Sequence, residues 1–214
     1  MLTLPEELIL LALDADSGSI SSCSARLPFA LAGAVLAELL LAGHIRLDGE
    51  QVVAANGPPP GDEVLRDALA LIRNEENRKK IKHWVDRFHS KLHIQERTLD
   101  ALAARGIVHH EDRHFLLFHY DRYPMDQRQS RTELRERLRG SLLGPSVNED
   151  RIACLIALAE PCNLVRRAFE PEEWKTVKDR AKQIAAQWPV SAAVVRAIEE
   201  MEAAIVASTV AMSG

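Results

Sequence analysis

"VLAELLLAGHIRLDGEQVV" (residues 35–53) decides the fold class. Its first half is aliphatic on nearly every side and carries one charge, Glu38. A helix that is apolar all round belongs in a core. Gly43 follows the last apolar turn, and glycine there is a common helix stop. The second half, "HIRLDGEQVV", is centred on an Asp-Gly pair, the residues that favour a type I′ hairpin turn. The stretch therefore predicts a buried helix closed by a tight hairpin. Extended backwards, the helix covers "FALAGAVLAELLLAG" (29–43).

A helix followed by a hairpin is also how winged-helix DNA readers look. A recognition helix needs a polar, basic face. Residues 29–43 hold no lysine and no arginine. A related unit recurs at 93–121, "HIQERTLDALAARGIVHHEDRHFLLFHYD", with Gly106 as its stop and "FLLF" as a buried second strand. Its helix, 95–105, carries Arg97 and Arg105 beside Glu96 and Asp100. Both units read as scaffold, and nucleic acid is not an expected partner. The net charge of −4 argues the same way, because phosphate polymers would be held only by a local basic patch.

Working outwards, "TLPEELILLALD" has Thr3 and Glu6 spaced as a capping box, with Pro5 in the first turn. Residues 14–22 are a loop, and "ANGPPPGDE" (55–63) is a turn-rich connector. A helix is expected at 62–74. An amphipathic one follows over 74–92, with Ile81, Trp84, Val85 and Phe88 on one face. "SRTELRERLRGSLLG" (130–144) reads as an Arg-rich helix capped by Ser130. "EDRIACLIALAEPCNLV" (149–165) reads as a buried helix that Pro161 ends. Helices over 170–187 and 191–210 complete the chain, with Pro189 between them. Low aromatic content, 5%, with 47% hydrophobic residues, favours packed helices over sheets. The expectation is mainly α: a compact helical domain, 1–214, with a buried central helix and short peripheral β-hairpins.

Chemistry-bearing motifs are sparse. There is no P-loop, GxGxxG, GxSxG or HExxH pattern. Three cysteines, Cys23, Cys154 and Cys162, make no CxxC pair, and the odd count argues against a disulfide framework. His89 and His93 stand at i, i+4, but beside Arg87 and Lys91 they fit an exposed polar face better than a metal site. His109, His110, His114 and His119 fall in the second hairpin, where alternation divides them between two faces. No catalytic residue, metal or cofactor is expected. No apolar run reaches the roughly 20 residues of a membrane span, and the expected location is the cytoplasm or the periphery of a membrane. Residues 122–139 hold six arginines: Arg122, Arg128, Arg131, Arg135, Arg137 and Arg139. Arg131 and Arg135 share a helix face and form one candidate anion site. Glu133–Arg137 and Glu136–Arg139 read as ordinary surface pairs.

Taken in order, "LTLPEELILLALDADSG", "ALAGAVLAELLLAGHIRL", "LAARGIVHHEDRHFLLF", "YPMDQ" and "DRIACLIALAEPCNLVRRAF" resemble the Golgi phosphoprotein 3 family. The resemblance covers residues 2–205 and is greatest to the shorter bacterial members. It implies a helical, non-enzymatic adaptor at a membrane surface, one that binds phosphatidylinositol 4-phosphate and holds the cytoplasmic tails of glycosyltransferases. The family's lipid pocket uses a tryptophan and three arginines. Those positions fall near Cys23 and at Ala32, Leu92 and Gln95, so none is kept. Arg26, Lys91 and Arg97 stand nearby and are the candidate substitutes for contacting an anionic headgroup. The competing expectation is a protein-interaction module that has lost lipid binding.

Overall fold

The computed structural model describes residues 1–14, 17–20, 25–115, 118–144 and 149–187. The expected helix at 191–210, Trp188 and Cys23 lie outside them. Helix α1 (Leu4–Ala12) begins at the predicted capping box: Thr3 Oγ1 accepts from the Glu6 amide, and Glu6 Oε2 accepts from the Thr3 amide at 2.7 Å. Helix α2 (Leu27–Leu41) is buried along most of its length. Its last turn closes with the His44 amide on Leu39 O (2.9 Å) and the Gly43 amide on Leu40 O (3.1 Å). That bond pair is the Schellman closure expected of a glycine stop.

Strands β1 (Ile45–Asp48) and β2 (Gln51–Ala54) pair antiparallel, with Asp48 opposite Gln51. The turn is therefore Gly49–Glu50 and not Asp48–Gly49, one residue later than expected. Gly49 has φ +60°, whereas Glu50 is not among the residues with positive φ. A glycine first and an ordinary residue second is the type II′ pattern, not I′. After α3 (Glu63–Arg73), which Asp62 caps through the Leu65 amide (2.9 Å), a short strand β3 (Lys79–Lys80) joins β2. The helix expected from residue 74 thus begins only at α4 (Ile81–Lys91). Its buried face is the predicted one: Ile81, Trp84, Val85 and Phe88.

Helix α5 (Ile94–Ala104) leads into strands β4 (Glu111–Phe115) and β5 (Phe118–Arg122). Phe115 pairs with Phe118, so "FLLF" ends one strand and begins the next instead of forming a single strand; its burial lies outside the described side chains. Helix α6 (Arg128–Leu143) starts before Ser130, and its N-terminal residue Gln127 makes no side-chain cap. Helix α7 (Asp150–Ala159) stops short of Pro161, which has no amide N–H with which to continue the helical hydrogen bonds. A 3₁₀ turn (Val165–Ala168) and α8 (Pro171–Gln187) follow. Helices α1, α4 and α7 pack around α2.

Glu38, the one charge in α2, joins three elements. Its Oε2 accepts from the Leu4 amide at 2.6 Å, at the start of α1. Its Oε1 accepts from Arg151 of α7 at 2.8 Å. Arg151 also donates to Leu2 O (2.6 Å), and its Nε lies 3.5 Å from buried Glu7 of α1. Glu7 is 3% exposed and accepts from Arg137 of α6 at 3.0 Å. Burial still wins over both guanidinium groups and holds the Glu7 carboxyl above its ordinary value. Removing one partner from such a cluster leaves the other charges buried and uncompensated. Arg151→Ala should therefore cost about 3 kcal/mol in urea denaturation. Replacing Arg151, Glu7 and Glu38 together by aliphatic residues of similar volume should cost much less.

Candidate functional site

A cavity of about 700 Å³ opens where four segments meet. The turn after α1 contributes Gly18 and Ile20, and the start of α2 contributes Pro28. The α4–α5 junction contributes His89, His93 and the first turns of α5. The second hairpin contributes His110, Asp121 and Tyr123. His93 is not on α4 at all. It has φ +46° and forms the N-terminal boundary of α5, so His89 and His93 do not share a helix face. Among the described residues, no three of histidine, cysteine, aspartate and glutamate are placed to hold a metal ion.

The walls are held by specific contacts. His110 bonds Asp121 Oδ1 at 2.7 Å and stacks on Tyr123, with ring centroids 5.1 Å apart. His89 lies against Phe29 at 4.2 Å. The Tyr123 amide donates to Gly18 O at 2.8 Å, which ties the hairpin to the turn after α1. Burial, and then the charges of Asp121, Asp100 and Glu96, push the Tyr123 hydroxyl above its ordinary value. Three carboxylates thus face one aromatic ring. No lysine or arginine lines this cavity among the described residues.

The candidate cations are elsewhere, in three groups. Arg26 donates to Pro161 O at 3.1 Å and ties the start of α2 to the end of α7. Arg97 pairs with Asp67 at 2.9 Å. Asp67 and Lys91 line a separate depression of about 360 Å³ between α3 and α4, with Arg87 and Asn74. Lys91 and Arg97 are thus brought to one neighbourhood, and Arg26 is not. Arg131 and Arg135 lie on α6, where Arg135 donates to Arg167 O at 2.8 Å. The surface pairs expected within α6 are replaced by tertiary ones: Arg137 with Glu7, and Arg139 with Glu173 of α8 at 2.6 Å. Of the family's pocket positions, Ala32 and Leu92 are core residues, and Gln95 lines the large cavity. Cys154 and Cys162 are buried thiols, and burial pushes Cys154 up to about 12, a poor nucleophile.

The profile of the Golgi phosphoprotein 3 (GPP34) family matches residues 4–201. This chain belongs to the Golgi phosphoprotein 3 family. It is similar to vacuolar protein sorting-associated protein 74 of Eremothecium gossypii, 25% identical over 168 residues, which are 68% of this chain and 50% of that relative. The chain spans about half the length of the curated relative it matches. The cavity's lining combines three histidines with three carboxylates, of which His110 and Asp121 are bonded. The sequence held a signal for this: Glu96 and Asp100 stand at i, i+4 on α5. Their convergence with Asp121 is tertiary and has no local signature.

Gly18 is the tightest point of the site. It has φ +64°, and a Cβ there would stand 2.3 Å from Pro124 N and 2.5 Å from the Tyr123 carbonyl carbon. Gly18→Ala should cost more than about 1 kcal/mol. It should also speed hydrogen exchange at the Tyr123 amide. At the base of the hairpin, His109 bonds Glu111 at 3.1 Å and Asp126 at 2.8 Å, and both hold its imidazolium above the ordinary histidine value. A raised cation stabilises the fold below its unfolded pKa and loses that contribution as pH rises through the folded one. In an NMR titration His109 should therefore titrate above about 6.5, and Glu111→Gln should bring it down.

Proposed function

We propose that this chain is a non-catalytic adaptor of the Golgi phosphoprotein 3 family that works through protein contacts and not by specific recognition of a phosphoinositide headgroup. One observation carries the reading: among the described residues, the cavity of about 700 Å³ presents Glu96, Asp100 and Asp121 and no lysine or arginine. A headgroup phosphate entering it would meet like charges, and phosphate sites are built from arginines and backbone amides. The α5 N-terminus supplies a partial positive charge, but Glu96 in its first turn offsets it. No helix among the described residues is long and apolar enough to cross a membrane, so any membrane contact these residues make is a surface one.

A second reading has its own observation. Arg135 donates to Arg167 O of the 3₁₀ turn, which also carries Arg166, and Arg131 stands one turn before Arg135 on α6. Together they make a local basic surface on an otherwise acidic protein. Such a surface would hold any anionic membrane weakly and lose it as salt rises.

Vesicle co-sedimentation separates these readings. Neutral vesicles, vesicles with phosphatidylglycerol or cardiolipin, and vesicles with phosphatidylinositol 4-phosphate are compared at about 50 and 200 mM salt. The expected result is no preference for the phosphoinositide. Binding to every anionic vesicle that fades with salt, and is weakened by Arg135→Glu, supports the second reading. Binding only to phosphoinositide vesicles, lost in Arg97→Glu, would overturn the proposal and restore the headgroup site.

A further inference from the structure

We propose that the large cavity is a site for an organic cation: an ammonium or guanidinium group on a small carbon frame, free or carried on a side chain. The inference does not depend on which membrane reading is correct. It rests on the combination of charge, aromatic surface and apolar wall in one concave space.

Charge comes first. Glu96 and Asp100 are one helical turn apart on α5, and Asp121 faces them from β5. Asp121 is occupied by His110 at 2.7 Å. Glu96 and Asp100 make no side-chain hydrogen bond or salt bridge among the described residues. The nearest arginine in sequence, Arg97, is turned away to Asp67. Among the described residues, two carboxylates with no cation of their own therefore line the cavity, alongside the imidazoles of His89, His93 and His110.

The aromatic surface is the second part. Tyr123 is held by stacking on His110, which lines the same cavity, and by its amide bond to Gly18 O. A ring held rigid beside carboxylates is the combination that binds organic cations, because the ring's negative face and the carboxylates attract the same charge. A bare metal ion is a poorer fit, since no ligand set converges. Phosphate is poorer still, because every acid here repels it.

The third part is room for carbon. Ile20, Pro28, Ile94 and Leu99 supply apolar wall. A volume of about 700 Å³ lies within the range of small-molecule sites. A compact aromatic or aliphatic amine fits this description better than an inorganic cation or a bulky headgroup.

The test is amide NMR on the full chain with four probes: phenethylammonium, its neutral isostere phenethyl alcohol, agmatine and inorganic phosphate. Phenethylammonium and agmatine should shift the amides of Glu96, Asp100 and Tyr123 saturably. Phenethyl alcohol should bind at least tenfold more weakly, and phosphate should leave these amides unmoved. Asp100→Asn on the exposed face of α5 should weaken both amines about tenfold without changing the rest of the spectrum. A short lysine-containing peptide that binds tenfold more tightly than the free amines would assign the cation to a protein segment; equal or weaker binding would assign it to a free small molecule. Unsaturable amine shifts, amine binding indifferent to Asp100→Asn, or phosphate shifts at these same amides would overturn the proposal. Loss of amine binding without phosphate shifts leaves the vesicle reading untouched, whereas phosphate shifts at these amides would overturn both, so the two failures are distinguishable.

Discussion

The fold depends on one carboxylate placed where a carboxylate is costly. Glu38 is the only charge in a helix that otherwise reads as pure core, and it has three jobs. It takes up the Leu4 amide that the start of α1 leaves open, it binds Arg151 of α7, and through Arg151 it sits beside buried Glu7. Leucine at 38 would pack, but the Leu4 amide would then be buried without a partner, and Arg151 would keep only Leu2 O and Glu7; leaving a buried donor unpaired costs more than a hydrogen bond ordinarily contributes. The ionic cluster therefore fixes which faces of α1, α2 and α7 meet. Apolar burial alone would tolerate a rotation of α2, which is greasy on every side. The cluster does not.

Arginine in this protein is mostly a fastener, and that determined how much of the site could be read in advance. Arg26, Arg135 and Arg139 donate to carbonyls at the ends of other helices, and Arg167 does so at the end of α1. Helix C-termini leave carbonyls open, and a guanidinium fork can reach across an interface to fill them. In sequence such arginines look identical to ligand-binding ones. A surplus of arginine along 122–139 suggested an anion face, whereas Arg137 and Arg139 are spent on Glu7 and Glu173. Distant carboxylates took the charges that i, i+4 neighbours were expected to take. No count along the chain reveals a partner 130 residues away.

What was legible in the sequence was whatever depends on near neighbours. The Thr3–Glu6 capping box, the stop after Leu41 and the buried face of α4 all follow from spacing, and the structure has them. The errors came where a local preference competed with a pairing partner. Asp48–Gly49 is the better turn in isolation. Yet Asp48 is held in the strand opposite Gln51, and its carboxylate bonds Arg78 at 2.8 Å, which moves the reversal to Gly49–Glu50. Lys79 and Lys80 fit an amphipathic helix by composition. The free edge of β2 takes them instead, and the Ile81 amide follows onto Glu50 O. The Phe115–Phe118 run looked like one buried strand because apolar runs carry no period, whereas the register places the break inside it.

The same division between local and tertiary cause applies to the cavity. Its frame is a glycine turn that lets Tyr123 approach, and two helix ends that meet. Its chemistry comes from side chains that the frame does not need. Glu96, Asp100 and His93 are exposed and carry little packing. They can change without unsettling α5, whose hold on the core runs through Ile94, Thr98, Leu99 and Leu102. Ala32 and Leu92 show the converse, since positions that would hold a headgroup in the resemblance have been absorbed into the core. An arginine restored at either would have to bury its charge beside apolar neighbours, at a cost of several kcal/mol by the usual desolvation penalty. A cation added at the base of this cavity is therefore opposed by packed methyl groups, whereas the rim carries exposed carboxylates. Substitutions at the rim are cheap and substitutions at the base are not, so the chemistry of the rim can vary while the base stays fixed.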